Sequence, residues 1–188
     1  MKNPTIPISL VVFDGDDTLW HGLDGGFISG ADYHDPGRGD YVFHRLDALN
    51  IQRNDGQRFR LFPEAPALLA ELVRLNVLVS LASYNYRSPV LNALEAFEIN
   101  HFFEHAVIEW SSQKDRMIKK ILRDFTRSNY LVSPPTTLFI DDDHFGRYRQ
   151  QMSSIGVNFL QKGVEIHKLD ELLDHPRYKL VSAQRSLL

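Results

Sequence analysis

Val11-Val12-Phe13-Asp14-Gly15-Asp16-Asp17-Thr18-Leu19-Trp20 is an apolar run that stops abruptly at two aspartates spaced by two. The apolar part reads as a buried strand. Side chains two apart on a strand point the same way, so Asp14 and Asp16 emerge together at its C-terminal end. Two carboxylates that close repel each other unless a proton or a cation intervenes. The stretch therefore marks either a metal site or an acid/base pair.

Working outward, strand-like and helix-like segments alternate. Strands are expected over Ile8–Phe13, Val77–Leu81, Phe103–Ile108, Thr136–Ile140 and Val157–Leu160. Helices are expected over Pro63–Leu75, Pro89–Phe97 and Lys114–Phe125, where apolar residues recur at helical spacing. A short helix after Asp143 and a last one over about His167–Leu173 complete the pattern. Such alternation implies an α/β fold: a Rossmann-like central parallel sheet with helices on both faces. Ligands bind beyond the carboxyl ends of the strands in such sheets.

Residues 21–60 break the alternation and hold seven of the eleven glycines. A connection that long is functional or disordered. Its aromatics, Phe27, Tyr33, Tyr41, Phe43 and Phe59, argue for order. Asn54-Asp55-Gly56 between two polar-apolar runs reads as a hairpin turn. The expectation is an ordered β flap leaning over the end of the first strand, inside one domain covering residues 1–188. Trp20 either lines the site mouth or anchors the flap to the core, and the second is the preferred reading.

The 188 residues are 43% hydrophobic and 24% charged, which suits one ordinary globular domain. A net charge of −3 gives no general attraction to nucleic acid or anionic membrane. No cysteine is present, which excludes disulfides, thiolate catalysis and zinc-thiolate sites. No apolar run approaches the about 18 residues of a membrane span, and the N-terminus lacks a signal-peptide pattern. The expected setting is cytoplasmic. The oligomeric state is left open.

Three further positions fall on the same predicted edge: Ser83 after an apolar strand, Lys114 at a helix start, and Asp141-Asp142-Asp143 after another strand. With Asp14 and Asp16 they supply a carboxylate nucleophile, a second carboxylate, a hydroxyl, one cation and a further acidic cluster. Phosphoryl transfer needs that set: an oxygen-ligated magnesium, a cation against the phosphate, and a hydroxyl donor. Taken singly, Ser83 and Lys114 read as surface residues, and Asp143 reads as a helix cap. His21 and His34 read as ordinary polar residues and His144 as a surface one. The basic run at 116–127 reads as a solvated face.

In this order the residues resemble the four motifs of the haloacid dehalogenase superfamily: Asp14-Gly15-Asp16-Asp17-Thr18, Ser83, Lys114 and Asp141-Asp142. Within it the chain is most similar to the acid phosphatase-like, magnesium-dependent phosphatases. Thr18-Leu19-Trp20, Leu61-Phe62-Pro63-Glu64-Ala65-Pro66, Leu81-Ala82-Ser83 and Phe139-Ile140-Asp141-Asp142 carry that likeness, which spans roughly residues 8–165. The resemblance implies a phosphomonoester hydrolase working through an aspartyl-phosphate. Asp14 is then the nucleophile and Asp16 the general acid/base. Asp14, Asp16 through its backbone carbonyl, and Asp141 become Mg2+ ligands, with Asp142 as ligand or support. Ser83, Lys114 and Thr18 form the phosphate-binding set, Thr18 by bracing the loop.

Two departures stand out. Gly15 replaces a larger apolar residue, and Tyr84 stands where relatives often carry a basic one. Only one helix and one strand separate Ser83 from Lys114, so no large cap is expected and the site is open to a phosphorylated small molecule or a phosphoprotein. The rival readings are a phosphoryl- or acyl-transferring relative, like the glyceryl-transferring members of the superfamily, and a catalytically silent phospho-ligand module. Asp16 argues against the silent module. Nucleic acid finds no support beyond the basic face.

Overall fold

The computed structural model describes residues 5–29, 41–143 and 146–186. In chain order the elements begin with β1 (Ile6–Ile8), β2 (Leu10–Phe13), β3 (Trp20–Gly22), β4 (Phe43–Arg45), β5 (Asn50–Arg53) and β6 (Arg58–Leu61). There follow α1 (Ala65–Arg74), β7 (Leu78–Tyr84), α2 (Arg87–Ala96), β8 (Val107–Glu109) and α3 (Lys114–Arg127). The rest comprises β9 (Thr137–Asp141), α4 (Tyr148–Ser154), β10 (Asn158–Gln161) and β11 (Tyr178–Leu180).

Five strands form one sheet in the order β10-β9-β2-β7-β8, and every pairing is parallel. Strand alternation sends successive apolar side chains to opposite faces. Val11, Phe13, Val79, Leu81, Leu138 and Ile140 join one buried cluster with Leu68, Leu69 and Leu72 of α1 and Val90 and Leu94 of α2. Leu10, Val12, Leu78, Ala82 and Phe139 join the other, with Met117, Ile118, Ile121 and Phe125 of α3 and Met152 of α4. Helices thus cover both faces, as the alternation predicts.

The flap is a four-stranded antiparallel sheet in the order β3-β6-β5-β4. Its hairpin turns at Asn54-Asp55-Gly56, where Gly56 takes φ 95°, a value open to glycine at little cost. Phe43, Ile51, Phe59 and Leu61 are buried and belong to the α1/α2 cluster. The flap therefore shares a core with the domain.

Three expected elements differ. The strand expected over Phe103–Ile108 is confined to β8, which starts only at Val107. The first strand is split at Ser9: β1 pairs with β11, a short strand the sequence pattern does not reveal, while β2 enters the central sheet. The last helix is a single tight turn, Leu169–Leu172, whose Glu171 reaches back to the amides of His167 and Lys168. Pro176 shortly after it has no N–H to continue a helix.

Candidate active site

β2 delivers Asp14 beyond its C-terminal end, where the Asp14 amide still donates to Ile140 of β9 at 2.9 Å. The chain then turns tightly. The carbonyl of Gly15 accepts the amides of Thr18 and Leu19 at 3.2 and 2.8 Å, and Asp17 takes a left-handed φ of 57° that aspartate tolerates better than most residues. Asp141 ends β9, Ser83 lies near the end of β7, and Lys114 opens α3. Asp14, Asp16, Ser83, Lys114, Asp141 and Asp142 all line one pocket at this edge.

Lys114 is 1% exposed, and its ammonium joins three elements. It donates to Asp14 Oδ1 and to the carbonyl of Ala82 at 2.6 Å, and lies 3.3 Å from Asp141 Oδ2. That last contact lacks hydrogen-bond geometry, which leaves Asp141 Oδ2 buried without a hydrogen bond. Burial opposes the charge on Lys114, but Asp14 and Asp141 more than offset it, and its pKa rises. Burial pushes the Asp14 carboxyl up to about 6, against the pull of Lys114. Burial and the nearby Asp14 push Asp141 up to about 7.

Asp14, Asp141 and Asp142 each offer a carboxylate oxygen, and these lie within 4.8 Å of one another. An all-oxygen set that includes the buried Asp141 Oδ2, which accepts no hydrogen bond, suits Mg2+, which takes hard oxygen ligands and few protein carboxylates. The charge balance points the same way. Among the described residues, five aspartates, Asp14, Asp16, Asp17, Asp141 and Asp142, line the pocket with a single ammonium, that of Lys114. A phosphate dianion meets repulsion there until a cation is added.

Asp16 sits differently. Its Oδ1 accepts the indole N–H of Trp20 at 2.9 Å and the amide of Ile28 at 3.1 Å, and its Oδ2 accepts Asn85 Nδ2 at 2.6 Å. Burial raises its pKa, opposed by these three donors. Its carboxylate is not among the three clustered ones.

Ser83 Oγ accepts Asn85 Nδ2 at 3.0 Å, so the hydroxyl proton remains available to a phosphate oxygen. Thr18 is fully buried and stands outside the pocket wall, where its hydroxyl accepts the amide of Asp142 at 3.1 Å and ties the first motif to the last. Asp143 caps, as its position suggests: its carboxylate accepts the amides of Arg147 and Tyr148 at 3.0 and 3.1 Å. His21 packs on Phe62 with ring centres 5.0 Å apart and takes no part in the carboxylate cluster. Tyr33, His34 and His144 lie outside the described residues.

Trp20 is the anchor and more. It is wholly buried, pairs with Leu61 in the flap, and stacks on Phe97 at 6.2 Å. Gly15 now has a reason. A Cβ there would fall 2.5 Å from Trp20 Cζ2 and 2.7 Å from Cη2, so the indole occupies the volume a larger residue would need. Asn85 and the Ile28 amide escape the sequence reading. Asn85 alone carried a signal, since it stands two residues past Ser83. The pocket mouth is aromatic: Phe27, Tyr84 and Trp110 line it, with Tyr84 packed on Trp110 at 4.9 Å and Tyr86 stacked behind at 4.5 Å.

The sequence profile described as Acid Phosphatase matches residues 6–178. The chain belongs to the acid phosphatase family. No curated protein sequence matches it. Among solved structures it is similar to the N-terminal part of BF1531 from Bacteroides fragilis, described as containing a phosphatase domain complexed with Mg. The identity is 19% over 93% of this chain and 42% of that one, with a TM-score of 0.56. The chain thus spans less than half of that structure, and the likeness bears on the fold alone. A haloacid dehalogenase-like hydrolase, SP0104 from Streptococcus pneumoniae, is 20% identical over 65% of this chain and 55% of its own, with a TM-score of 0.43. No helix among the described residues is long and apolar enough to cross a membrane.

Proposed function

We propose that this acid phosphatase family member is a Mg2+-dependent phosphomonoester hydrolase acting through an aspartyl-phosphate on Asp14. The observation that carries the reading is the division between the two aspartates. Asp14 is held by Lys114 inside the three-carboxylate cluster, while Asp16 is held apart by neutral donors.

Asp14, Asp141 and Asp142, with the backbone carbonyl of Asp16, would hold Mg2+, which when bound neutralises phosphate charge and lets an anionic nucleophile approach. An Asp14 carboxylate oxygen attacks phosphorus, and the bond from phosphorus to the ester oxygen breaks. Asp16 gives its proton to the departing oxygen, freeing the alcohol. Asp16 then takes a proton from water as that water attacks phosphorus, the bond to Asp14 breaks, and phosphate leaves. Lys114 and the Ser83 hydroxyl hold the phosphoryl oxygens, and Thr18 fixes the loop. Between β7 and α3 only α2, one tight turn and β8 intervene, so the mouth is open to a phosphorylated small molecule or a phosphoprotein. A cytoplasmic setting belongs to the same proposal and is compatible with a chain that has no cysteine.

The test is hydrolysis of p-nitrophenyl phosphate with and without Mg2+. The wild type is expected to turn over with Mg2+ and stop in EDTA, and Asp14→Asn to fall to background while keeping its circular dichroism spectrum. Full activity in Asp14→Asn would overturn the mechanism. A folded wild type inactive toward this ester and toward a panel of phosphometabolites and phosphopeptides would turn the reading to a silent binding module.

A further inference from the structure

We infer that the flap is part of the acid/base apparatus, with Trp20 and Asn85 as positioning residues that hold Asp16 in its working orientation. The inference rests on the proposed hydrolase chemistry.

Three donors converge on one carboxylate from two separate parts of the chain. Trp20 and Ile28 come from the flap side and load Oδ1; Asn85, after β7, loads Oδ2. Each donor is itself fixed. The Trp20 backbone is paired in β3, its ring stacks on Phe97, and the absent side chain at Gly15 leaves its indole room. The segment carrying the Ile28 amide is held by the buried Arg53, which donates to the carbonyls of Phe27 and Ile28 at 3.1 and 2.9 Å. Arg53 in turn is paired with Asp55 at 2.7 Å and lies over the Tyr41 ring at 4.1 Å. Asn85 shares its amide nitrogen between Asp16 and Ser83, so the acid/base and the phosphate-side hydroxyl are spaced by one side chain.

The grip selects an oxygen. Oδ1 already accepts two N–H groups, while Oδ2 accepts one and keeps a lone pair for a proton. The leaving-group oxygen therefore takes its proton from Oδ2, and water later returns one to the same atom. A carboxylate free to rotate would offer either oxygen and lose the geometry that proton transfer requires. The flap reads as a fixed wall of the site, since its apolar face is shared with α1 and α2.

The experiment is Trp20→Phe, which removes the N–H and keeps an aromatic ring. For an alkyl phosphate, kcat/KM is expected to fall roughly ten- to hundred-fold, part of what an acid/base group supplies. For p-nitrophenyl phosphate, whose leaving group needs no proton, kcat/KM is expected to change less than about three-fold. This ester should instead show a burst of nitrophenol followed by slow turnover, because base-assisted hydrolysis of the intermediate is now impaired. Asn85→Ala, which leaves the flap intact, should give the same pattern and serves if Trp20→Phe fails to fold. Equal losses for both esters without a burst, or no loss at all, would overturn the inference and leave the hydrolase reading standing. A measurement independent of turnover is the Trp20 indole proton in NMR, which should move in Asp16→Ala. If it does not, the grip fails. If it moves in a protein that hydrolyses nothing, the grip stands and the hydrolase reading, with its acid/base role, falls.

Discussion

Asp14 and Asp16 stand two residues apart, yet the parallel sheet governs one and the antiparallel flap the other. Around Asp14 the partners are charges: the Lys114 ammonium, Asp141 and Asp142, brought together by the ends of β2 and β9 and the start of α3. Around Asp16 they are neutral N–H groups, two from the flap side. A nucleophile that must meet a phosphate dianion needs balancing charge. An acid/base must exist both with and without its proton, and a full counter-charge would lock it in one form. Neutral donors orient it while leaving the proton exchangeable.

The charged half should be the more fragile. In Lys114→Met, Asp14 and Asp141 lose a buried cation, and breaking a buried pair costs about 3–5 kcal/mol. Urea unfolding of the metal-free protein at pH 8 should show that loss, and turnover should vanish. A loss under about 1 kcal/mol would break the comparison, because the charges would then not depend on Lys114.

The flap half should respond to shape. Gly15→Ala drives a Cβ into the Trp20 ring at 2.5 Å, and overpacking of this kind costs about 1–3 kcal/mol. Phenylalanine at 20 lacks the atoms that are struck. The same substitution in a Trp20→Phe background should therefore cost less than about 0.5 kcal/mol, an interaction a double-mutant cycle reads directly. Equal costs in both backgrounds would mean that Gly15 answers to something other than Trp20.

The same division sets what was legible beforehand. Asp14, Asp141, Ser83 and Lys114 stand where an apolar strand stops or a helix starts, so local pattern suffices to find them and to predict the parallel sheet. The partners of Asp16 depend on tertiary approach. Asn85 lies 69 residues from Asp16, and the Ile28 amide carries no side-chain signature at all. Gly15, a departure in the sequence, becomes intelligible only once Trp20 folds over it. The Thr18 hydroxyl accepts the amide of Asp142, 124 residues away, a contact that local pattern does not reveal. β11 has three residues and no periodicity of its own; its strand character comes from pairing with β1.

The smallest effect separates the halves by pH. Asp14 and Asp141 are raised from 3.8 to about 6 and about 7 in the folded, metal-free protein. Between pH 3.8 and 7 the folded chain therefore holds protons that the unfolded chain has released, and stability from these groups falls as pH rises. Asp16, also raised, adds in the same direction, while Lys114, raised as well, stays charged throughout. A cation at the cluster must displace the protons on Asp14 and Asp141. Mg2+ at ten times its dissociation constant at pH 8 should stabilise the protein by about 1.4 kcal/mol there. The same concentration at pH 5 should do almost nothing. Trp20→Phe, which alters only the flap side, should leave that difference intact, whereas Asp141→Asn should erase it. Thermal melts across the four conditions decide the matter: a Mg2+ shift of equal size at both pH values would place the cation away from the titrating carboxylates, and a shift lost in Trp20→Phe would show that the two halves are not separately built.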